Sequence, residues 1–346
     1  MRGPVLAILF VLSSLPLAAQ QMPPIGTIDF YGLRTLPEST VRGTLGIREG
    51  DAVPDSVGPA TRRLRALPGV ADARLTLVCC SSERKAILFV GVEEFGAAAK
   101  AAYSAPTGSI RLPDDVVQLG RAFVDTIMAA VRQGQAAEHD SAGHAFFDYP
   151  AANAIQHRYL AIAAARVPML RDVLHNSASA EDRALAAELL GYAPSVADIV
   201  PDLEKAIHDA DDAVRNNAMR ALAVIALYAQ QSPLLGIRVS AKPFVEMLNS
   251  LVWTDRNKAS VALFQLTTRR DRALLALLRA QALPALVDIA RWRSVGHAYA
   301  GFMILGRVEG MPDDSLEHAW QRGDRSAVLD SAARMLSAPL AAELRR

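Results

Sequence analysis

Apolar positions recur at helical spacing through the middle of the chain, most clearly over residues 195–226. Before an acidic turn at 209–212, one stripe is formed by Val200, Leu203 and Ile207. After the turn, a second stripe is formed by Val214, Ala218, Ala221, Leu222 and Ile225. Each stripe fits one face of an α-helix, and Asp211 or Asp212 is suited to cap the second helix. The segment is predicted to be a helical hairpin that must bury its apolar faces against neighbouring hairpins.

The same pattern recurs on either side of this hairpin. Arg183 precedes Arg215 by 32 residues, and Arg256 follows it by 41 residues, each in front of a similar stripe of alanine and leucine. Repeats of about 30–45 residues are typical of stacked helical hairpins. Residues 157–338 are therefore predicted to form about four hairpins and a final helix pair, arranged as an α-solenoid.

The amino-terminal region has a different periodicity. Three short segments are predicted to be strands, at residues 25–31, 70–78 and 85–93. In the second of them, apolar residues alternate with polar ones and fall mostly on one face. Two segments between the first and second strands are predicted to be helices, at residues 37–45 and 55–67. The order β-α-α-β-β over residues 25–95 predicts a small α/β module in front of a mainly α chain.

The hairpin at 195–226 resembles a HEAT repeat. The residues that carry the resemblance are Pro201, Leu203, Asp209, Asp211, Val214, Arg215, Ala218, Ala221 and Leu222. In that family a turn aspartate and an arginine at the start of the second helix form a ladder between repeats, which implies these roles for Asp209 and Arg215. In the other hairpins the aspartate is replaced by Ser177, Ser250 and Arg291, and in the fourth the arginine is replaced by His297. The ladder is therefore expected to be discontinuous.

The small module resembles a POTRA domain, the polypeptide-transport-associated module of outer-membrane assembly and secretion proteins. The resemblance rests on Gly32 after the first strand, Leu45-Gly46, Gly50-Asp51, Arg62-Arg63-Leu64, Leu67-Pro68-Gly69-Val70 and the last strand. It implies partner binding by addition of a strand at an open sheet edge. The helical region that follows departs from that family's usual membrane barrel. The alternative is a small adaptor module that binds no peptide.

The segment between the two regions contains the candidates for metal chemistry. Residues 96–113 are rich in Ala, Ser, Gly and Pro and are predicted to be a linker. Residues 114–156 are predicted to hold a lead-in helix, to about residue 133, and then a loop. The loop contains Glu138, His139, Asp140, His144 and Asp148, with His157 nearby. Imidazoles and carboxylates are metal ligands, but a solvated loop is the simpler interpretation.

Composition and the first residues bear on location and partners. Lys+Arg 37 against Asp+Glu 36 gives a formal charge of +1, which provides no electrostatic footprint for nucleic acid. Residues 1–20 have the form of a secretory signal peptide, with an uncleaved N-terminal anchor as the alternative. The mature chain has no run long enough for a transmembrane span. Motifs for hydrolytic nucleophiles, zinc, phosphate or dinucleotides are absent from the sequence. A periplasmic or extracellular protein without cofactor or catalytic site is expected.

Two further groups of residues suggest contacts or redox chemistry. Trp253, Arg256, Arg291, Trp292 and Arg293 are of the types enriched at interface hot spots. They are interpreted either as a binding strip on the concave face of the stack or as packing between repeats. Cys79 and Cys80 could form a vicinal disulfide, pair with another chain or stay reduced. Alternation in a strand would point them to opposite faces and disfavour a mutual bond.

These observations lead to two hypotheses of different class. The first is an exported, non-catalytic interaction or scaffold protein that binds protein partners, including complexes of the cell envelope, through its repeats and its small module. The second is a metal-binding or enzymatic protein that uses the cluster at 138–157.

Overall fold

The structure is a computed structural model that describes residues 22–81, 83–97, 103–135 and 137–337. Residues 22–97 form the small amino-terminal unit, which we call the module. Residues 150–337 form a helical array, which we call the stack. The predicted signal peptide at 1–20 lies outside the described residues.

The module has the predicted order of elements. Its strands are β1 (Ile25–Tyr31), β2 (Val70–Val78) and β3 (Ala86–Glu94), and its helices are α1 (Glu38–Leu45) and α2 (Gly58–Arg65). The sheet order is β1-β3-β2, with β1 parallel and β2 antiparallel to β3. Gly32 ends β1 at φ +85, where a Cβ atom would collide with the carbonyl oxygen of Val92, so glycine is required there.

Two strands and twelve helices follow within the described part of the chain. They are α3 (Asp114–Arg132), β4 (Glu138–Ser141), β5 (His144–Phe147), α4 (Pro150–Asn176), α5 (Ala180–Leu190), α6 (Val196–Ala206), α7 (Asp212–Gln231), α8 (Lys242–Met247), α9 (Trp253–Leu266), α10 (Arg272–Gln281), α11 (Leu283–Arg291), α12 (Val295–Val308), α13 (Asp313–Gln321) and α14 (Ser326–Ser337). The fold is mainly α with a small amino-terminal β unit. The side chain of Asp211 caps α7 by accepting from the N–H groups of Ala213 and Val214, as predicted.

Helices of the stack pack in pairs. α4 packs on α5, α6 on α7, α8 on α9 and α11 on α12. The second helices of these pairs, α5, α7, α9 and α12, also pack side by side in that order. We call them the inner helices. Their small residues, such as Ala186, Ala218 and Ala259, are fully buried and allow close approach of neighbouring helices.

The sheet of the module belongs to two hydrophobic cores. One face, which includes Ile28, Leu88 and Val90, packs on α1 and α2. The opposite face, which includes Ile87 and Phe89, joins the core of the stack. Because both faces are covered, every residue of β3 from 86 to 92 is buried, which explains the continuous apolar run of this strand.

The segment that connects the two units lies in part against the stack. Residues 103–113 fall within the predicted linker. The N–H of Gly108 donates to the carbonyl of Asn176 at 2.9 Å, and the N–H of Ala178 donates to the carbonyl of Gly108 at 2.7 Å. The Arg111 side chain pairs with buried Asp182 at 2.5 Å. This portion is therefore held along the turn between α4 and α5.

One local expectation is wrong, and for the two cysteines the structure shows the alternative that the strand pattern disfavoured. Residues 138–147 form a β-hairpin of β4 and β5 instead of an irregular loop, because Phe146 and Phe147 are buried against the stack. Cys79 and Cys80 form a disulfide with each other. β2 ends at Val78, so the alternation of a strand does not apply to the two cysteines.

No single helix within the described ranges is long and apolar enough to cross a bilayer. The pair Arg272–Gln281 and Leu283–Arg291, bent by 82°, meets the length and composition criteria when taken together.

Candidate functional site

Bidentate ion pairs connect successive helix pairs of the stack. Nε and Nη2 of Arg183 each donate to one carboxylate oxygen of Asp209 at 2.8 Å. Nε and Nη2 of Arg215 donate to the two oxygens of Asp255 at 3.0 and 2.9 Å. All four side chains are nearly fully buried. Such planar two-point contacts are strong and directional, so they fix the spacing of neighbouring pairs.

The turns of three pairs share a second contact. The arginine of each inner helix donates to the carbonyl of the residue six positions earlier: Arg183 to Ser177, Arg215 to Asp209 and Arg256 to Ser250. In each turn the side chain of that earlier residue also accepts from the N–H two positions later. Serine therefore replaces aspartate in the turn, but it provides no carboxylate for the ladder.

The ladder is continuous across the first three pairs, although serine replaces aspartate in the turn of the third pair. Asp209 pairs with Arg183 of the preceding pair, and Arg215 pairs with Asp255 of the following pair. Asp255 lies in the first turn of α9 and also accepts from the Ser250 hydroxyl at 2.7 Å. A signal was present in the sequence, since Asp255 directly precedes Arg256 as Asp182 directly precedes Arg183.

The carboxylate of the fourth pair is shared with the module. Asp288 of α11 lies 3.5 Å from Nη1 of Arg256. The same carboxylate accepts from the N–H of Gly32 at 3.0 Å and pairs with Arg34 at 3.1 Å. The ladder therefore ends at the contact between the stack and the module.

Aromatic side chains form the centre of the contact between module and stack. The Phe89 ring of β3 lies 4.7 Å from Trp253, 4.9 Å from Trp292 and 5.5 Å from His297, measured between ring centroids. The Tyr31 ring lies 6.0 Å from Trp292. We call these five residues the docking surface. Aromatic pairs at such separations add attraction beyond the area that they bury.

Hydrogen bonds surround the docking surface. The Tyr31 hydroxyl donates to the carbonyl of Leu251 at 2.8 Å. The carboxylate of Asp29 accepts from the N–H groups of Arg293 and Ser294 at 2.8 and 3.0 Å. Burial raises the pKa of Asp29, and these two donors oppose the shift. The module is thus held at Leu251 before α9 and at residues 293–294 before α12, and Arg74 pairs with Asp212 at the start of α7.

The structure separates the residues of the proposed Trp/Arg strip. Trp253, Arg256 and Trp292 are buried beneath the module, so their interpretation as an exposed strip is wrong. The guanidinium of Arg256 lies 4.6 Å from the centre of the Tyr31 ring. Arg291 and Arg293 are exposed. The sequence pattern identified contact residues, but for three of them the contact is with the chain's own sheet.

The charged residues at 138–157 point in different directions. Nδ1 of His139 lies 2.6 Å from Asp148, and Nδ1 of His144 lies 2.8 Å from the carbonyl of Gly191. His157 stacks on Phe146 at 5.2 Å. Among the described residues, no group of three His, Cys, Asp or Glu side chains is placed to hold a metal ion. The arrangement gives no support to the metal hypothesis.

Three charged side chains lie along the inner helices on the part that the module leaves accessible. They are Glu188 of α5, Arg220 of α7 and Lys258 of α9, all partly exposed. Burial raises the pKa of Glu188 and lowers the pKa of Lys258. Arg220 pairs with Glu138 at 3.0 Å. These three side chains are therefore partly accessible and yet surrounded by protein atoms that desolvate their charges.

Comparison with known proteins supports the repeat architecture. A sequence model of HEAT repeats matches residues 167–250, which run from the second half of α4 to the turn before α9. No curated protein matches the chain. HEAT repeats are generally protein-interaction scaffolds and are typically non-catalytic.

Proposed function

We propose that the protein is an exported, non-catalytic scaffold whose helical repeats form an α-solenoid and bind partner proteins. The observation that carries this proposal is the match to HEAT repeats at 167–250 together with the buried ladder of Arg183–Asp209 and Arg215–Asp255. A rigid array of helix pairs presents an extended concave surface. Export rests on the signal-like sequence at residues 1–20, and periplasmic or extracellular partners, including envelope complexes, follow from it.

The inner helices are the surface that we assign to a partner. The module covers the turns near Asp212, Trp253 and Ser294, and it leaves part of the inner face accessible. Val261 of α9 has 42% of its surface exposed and lies one helical turn after Lys258. Apolar and charged groups in a concavity are typical of protein recognition surfaces.

Strand addition at the module is a second contact that we propose for the same partner class. β2 is an edge strand of nine residues in the order β1-β3-β2. No strand pairs with its outer edge among the residues that the structure describes. Unpaired backbone groups of an edge strand can pair with an extended segment of another chain. The resemblance to POTRA domains motivates this assignment.

Photo-crosslinking from defined positions tests both contacts. A benzophenone amino acid is placed at Val261 on the inner face, at Ala71 on the β2 edge or at exposed Val124 on α3 as the control. The full chain is produced in cells with residues 1–21 intact. We expect the same protein to be captured from Val261 and Ala71, and not from Val124.

Each position reports on a separate part of the proposal. Capture from Ala71 without capture from Val261 would assign partner binding to the module and remove the role of the repeats. Retention of the full chain in the cytosolic fraction would contradict export. Equal capture from all three positions would show non-specific contact and contradict both assigned surfaces.

A further inference from the structure

The imidazole of His297 lies at the contact between module and stack and is partly buried. Its ring centroid is 5.2 Å from that of Trp253 and 5.5 Å from that of Phe89, and its Nδ1 lies 2.7 Å from the Ser294 hydroxyl. Burial lowers the pKa of His297 to about 4, and the charge of Lys258 adds to this effect. A neutral imidazole is thus part of the closed contact.

Several polar atoms of the same contact have incomplete hydrogen bonding. Nε1 of Trp253, Nε1 of Trp292 and Nη1 of Arg256 are buried without a hydrogen-bond acceptor among the described residues. Nη1 of Arg256 is within ion-pair distance of Asp288, but not in hydrogen-bond geometry. In an open state these donors would be hydrated. Their hydration offsets part of the free energy that is lost when the aromatic contacts separate.

We propose that the docking surface is a reversible latch, in which protonation of His297 releases the sheet of the module from the stack. Release uncovers the Phe89 ring on one side and the Trp253 and Trp292 rings on the other. The two units remain joined by the chain. The latch therefore regulates access to an aromatic surface that the closed structure hides.

The sign of the pH effect follows from the two states. In the open state the imidazole is in water, where its pKa is near 6.5, whereas in the closed state it is about 4. The open state therefore binds a proton about 300-fold more tightly. Between these two values, falling pH moves the equilibrium toward the open state, and above about pH 6.5 the effect is absent.

Other charged groups at the contact favour either the closed or the open state as the pH falls. From the stack, Lys258 repels an imidazolium. Arg256 lies against the Tyr31 ring, and Asp288 of α11 is engaged with Arg34 and Gly32. From the module, Asp29 has a raised pKa, so its protonation favours the closed state and opposes the latch. Glu49, which pairs with Arg293, has a pKa below its usual value and stays charged through most of the window.

Tryptophan quenching tests the latch in the full chain. Trp320→Phe leaves the two tryptophans of the docking surface as the fluorophores. Acrylamide quenching and helical circular dichroism are followed from about pH 7.5 to about pH 4.5. We expect the quenching constant to rise at least about twofold as the pH falls, with unchanged helix content.

Variants at position 297 decide whether the histidine is responsible. His297→Phe and His297→Gln cannot be protonated, so quenching should stay low and flat in the phenylalanine variant, which also keeps the aromatic packing. In the glutamine variant the quenching constant should also be independent of pH. Its value will depend on how well the module docks without the aromatic ring. Exposed His318→Gln is the matched control and should behave as the parent does. A rise that persists in His297→Phe, an absent rise in the parent, or a loss of helix content at the same pH would overturn the proposal.

Discussion

The ladder and the contact between module and stack both bury arginine, but they differ in how completely its donors are satisfied. In the ladder, Arg215 places two nitrogens on both oxygens of Asp255 and a third on the carbonyl of Asp209. At the contact between module and stack, Arg256 donates to the carbonyl of Ser250, but its Nη1 has no hydrogen-bond acceptor within the described chain.

This difference separates a permanent joint from one that can open. A buried ion pair with every donor engaged gives little net stability, but breaking it leaves an uncompensated charge. An aromatic contact with unsatisfied donors loses attraction on opening and regains hydration. The stack should therefore behave as one cooperative body, and the contact between module and stack should be the weaker boundary.

Removal of a ladder carboxylate is expected to have the largest effect. Asp255→Ala leaves the guanidinium of Arg215 buried without its carboxylate and should lower the free energy of unfolding by about 3–5 kcal/mol. Urea unfolding followed by helical circular dichroism measures the change. Asp72→Ala, which breaks the exposed pair with Arg65, is the control and should cost less than about 1 kcal/mol.

A second variant distinguishes a buried charge from a structural carboxylate. Combining Asp255→Ala with Arg215→Met removes both charges and should recover a large part of the lost stability. Equal destabilisation in the single and double variants would show that the two side chains stabilise the stack by packing and not by charge pairing.

Truncation at the docking surface is expected to have the next largest effect. Phe89→Ala removes a fully buried ring between Trp253 and Trp292 and should cost about 3 kcal/mol. Phe89→Leu keeps most of the volume and should cost about 1 kcal/mol. The comparison predicts that Phe89→Ala increases tryptophan quenching below the urea concentration that unfolds the helices. Coincident transitions would contradict a weaker boundary between the two units.

The sequence predicted local order and missed the contacts between distant segments. Helical periodicity located the hairpin at 195–226, and the β-α-α-β-β order follows from short-range patterns. Asp255 was missed because its partner Arg215 is 40 residues away and its position does not match that of Asp209. Phe89 was missed because nothing in a strand's pattern names the helix on which it packs.

One long-range feature did leave a trace in the sequence. The seven apolar or small residues at 86–92 do not alternate with polar ones, which indicates a strand that is covered on both faces. The apolar run predicts that a second layer of protein covers the strand, but it does not say which segment forms that layer. The Trp and Arg residues near 253 and 292 were recognised as contact residues by their type. The structure shows that three of them contact the sheet of the module.

Glu94 provides a satisfied carboxylate within the module. Burial by itself would raise the pKa of Glu94, but the N–H groups of Arg34, Thr35 and Leu36 and the Thr35 hydroxyl lower it to about 2. The charged form thus contributes stability that is present above about pH 4.5 and is lost as the pH falls toward 2. Glu94→Gln should cost about 2 kcal/mol at neutral pH and almost nothing near pH 2.

The measurement for Glu94→Gln is urea unfolding of the variant and the parent across this pH range. Glu83→Gln, at an exposed position of the module, is the control. A cost that stays constant as the pH falls would mean that the side chain acts by shape, since a charge effect must disappear once the carboxylate is protonated.

Glu309 is the unsatisfied counterpart of Glu94 and is expected to show the smallest effect, with the opposite sign. Burial raises its pKa to about 7, although Ser331 and Arg334 lower it slightly, and neither carboxylate oxygen has a hydrogen bond in good geometry within the described residues. The folded state therefore binds the proton more tightly than the unfolded chain, and stability falls as the pH rises from about 4.5 to about 7. Glu309→Gln should stabilise the protein by about 1 kcal/mol at pH 8, after allowance for partial exposure, and should leave stability unchanged near pH 4. Thermal unfolding at both values measures this difference, and a variant less stable than the parent at pH 8 would show that the charged carboxylate has a partner after all.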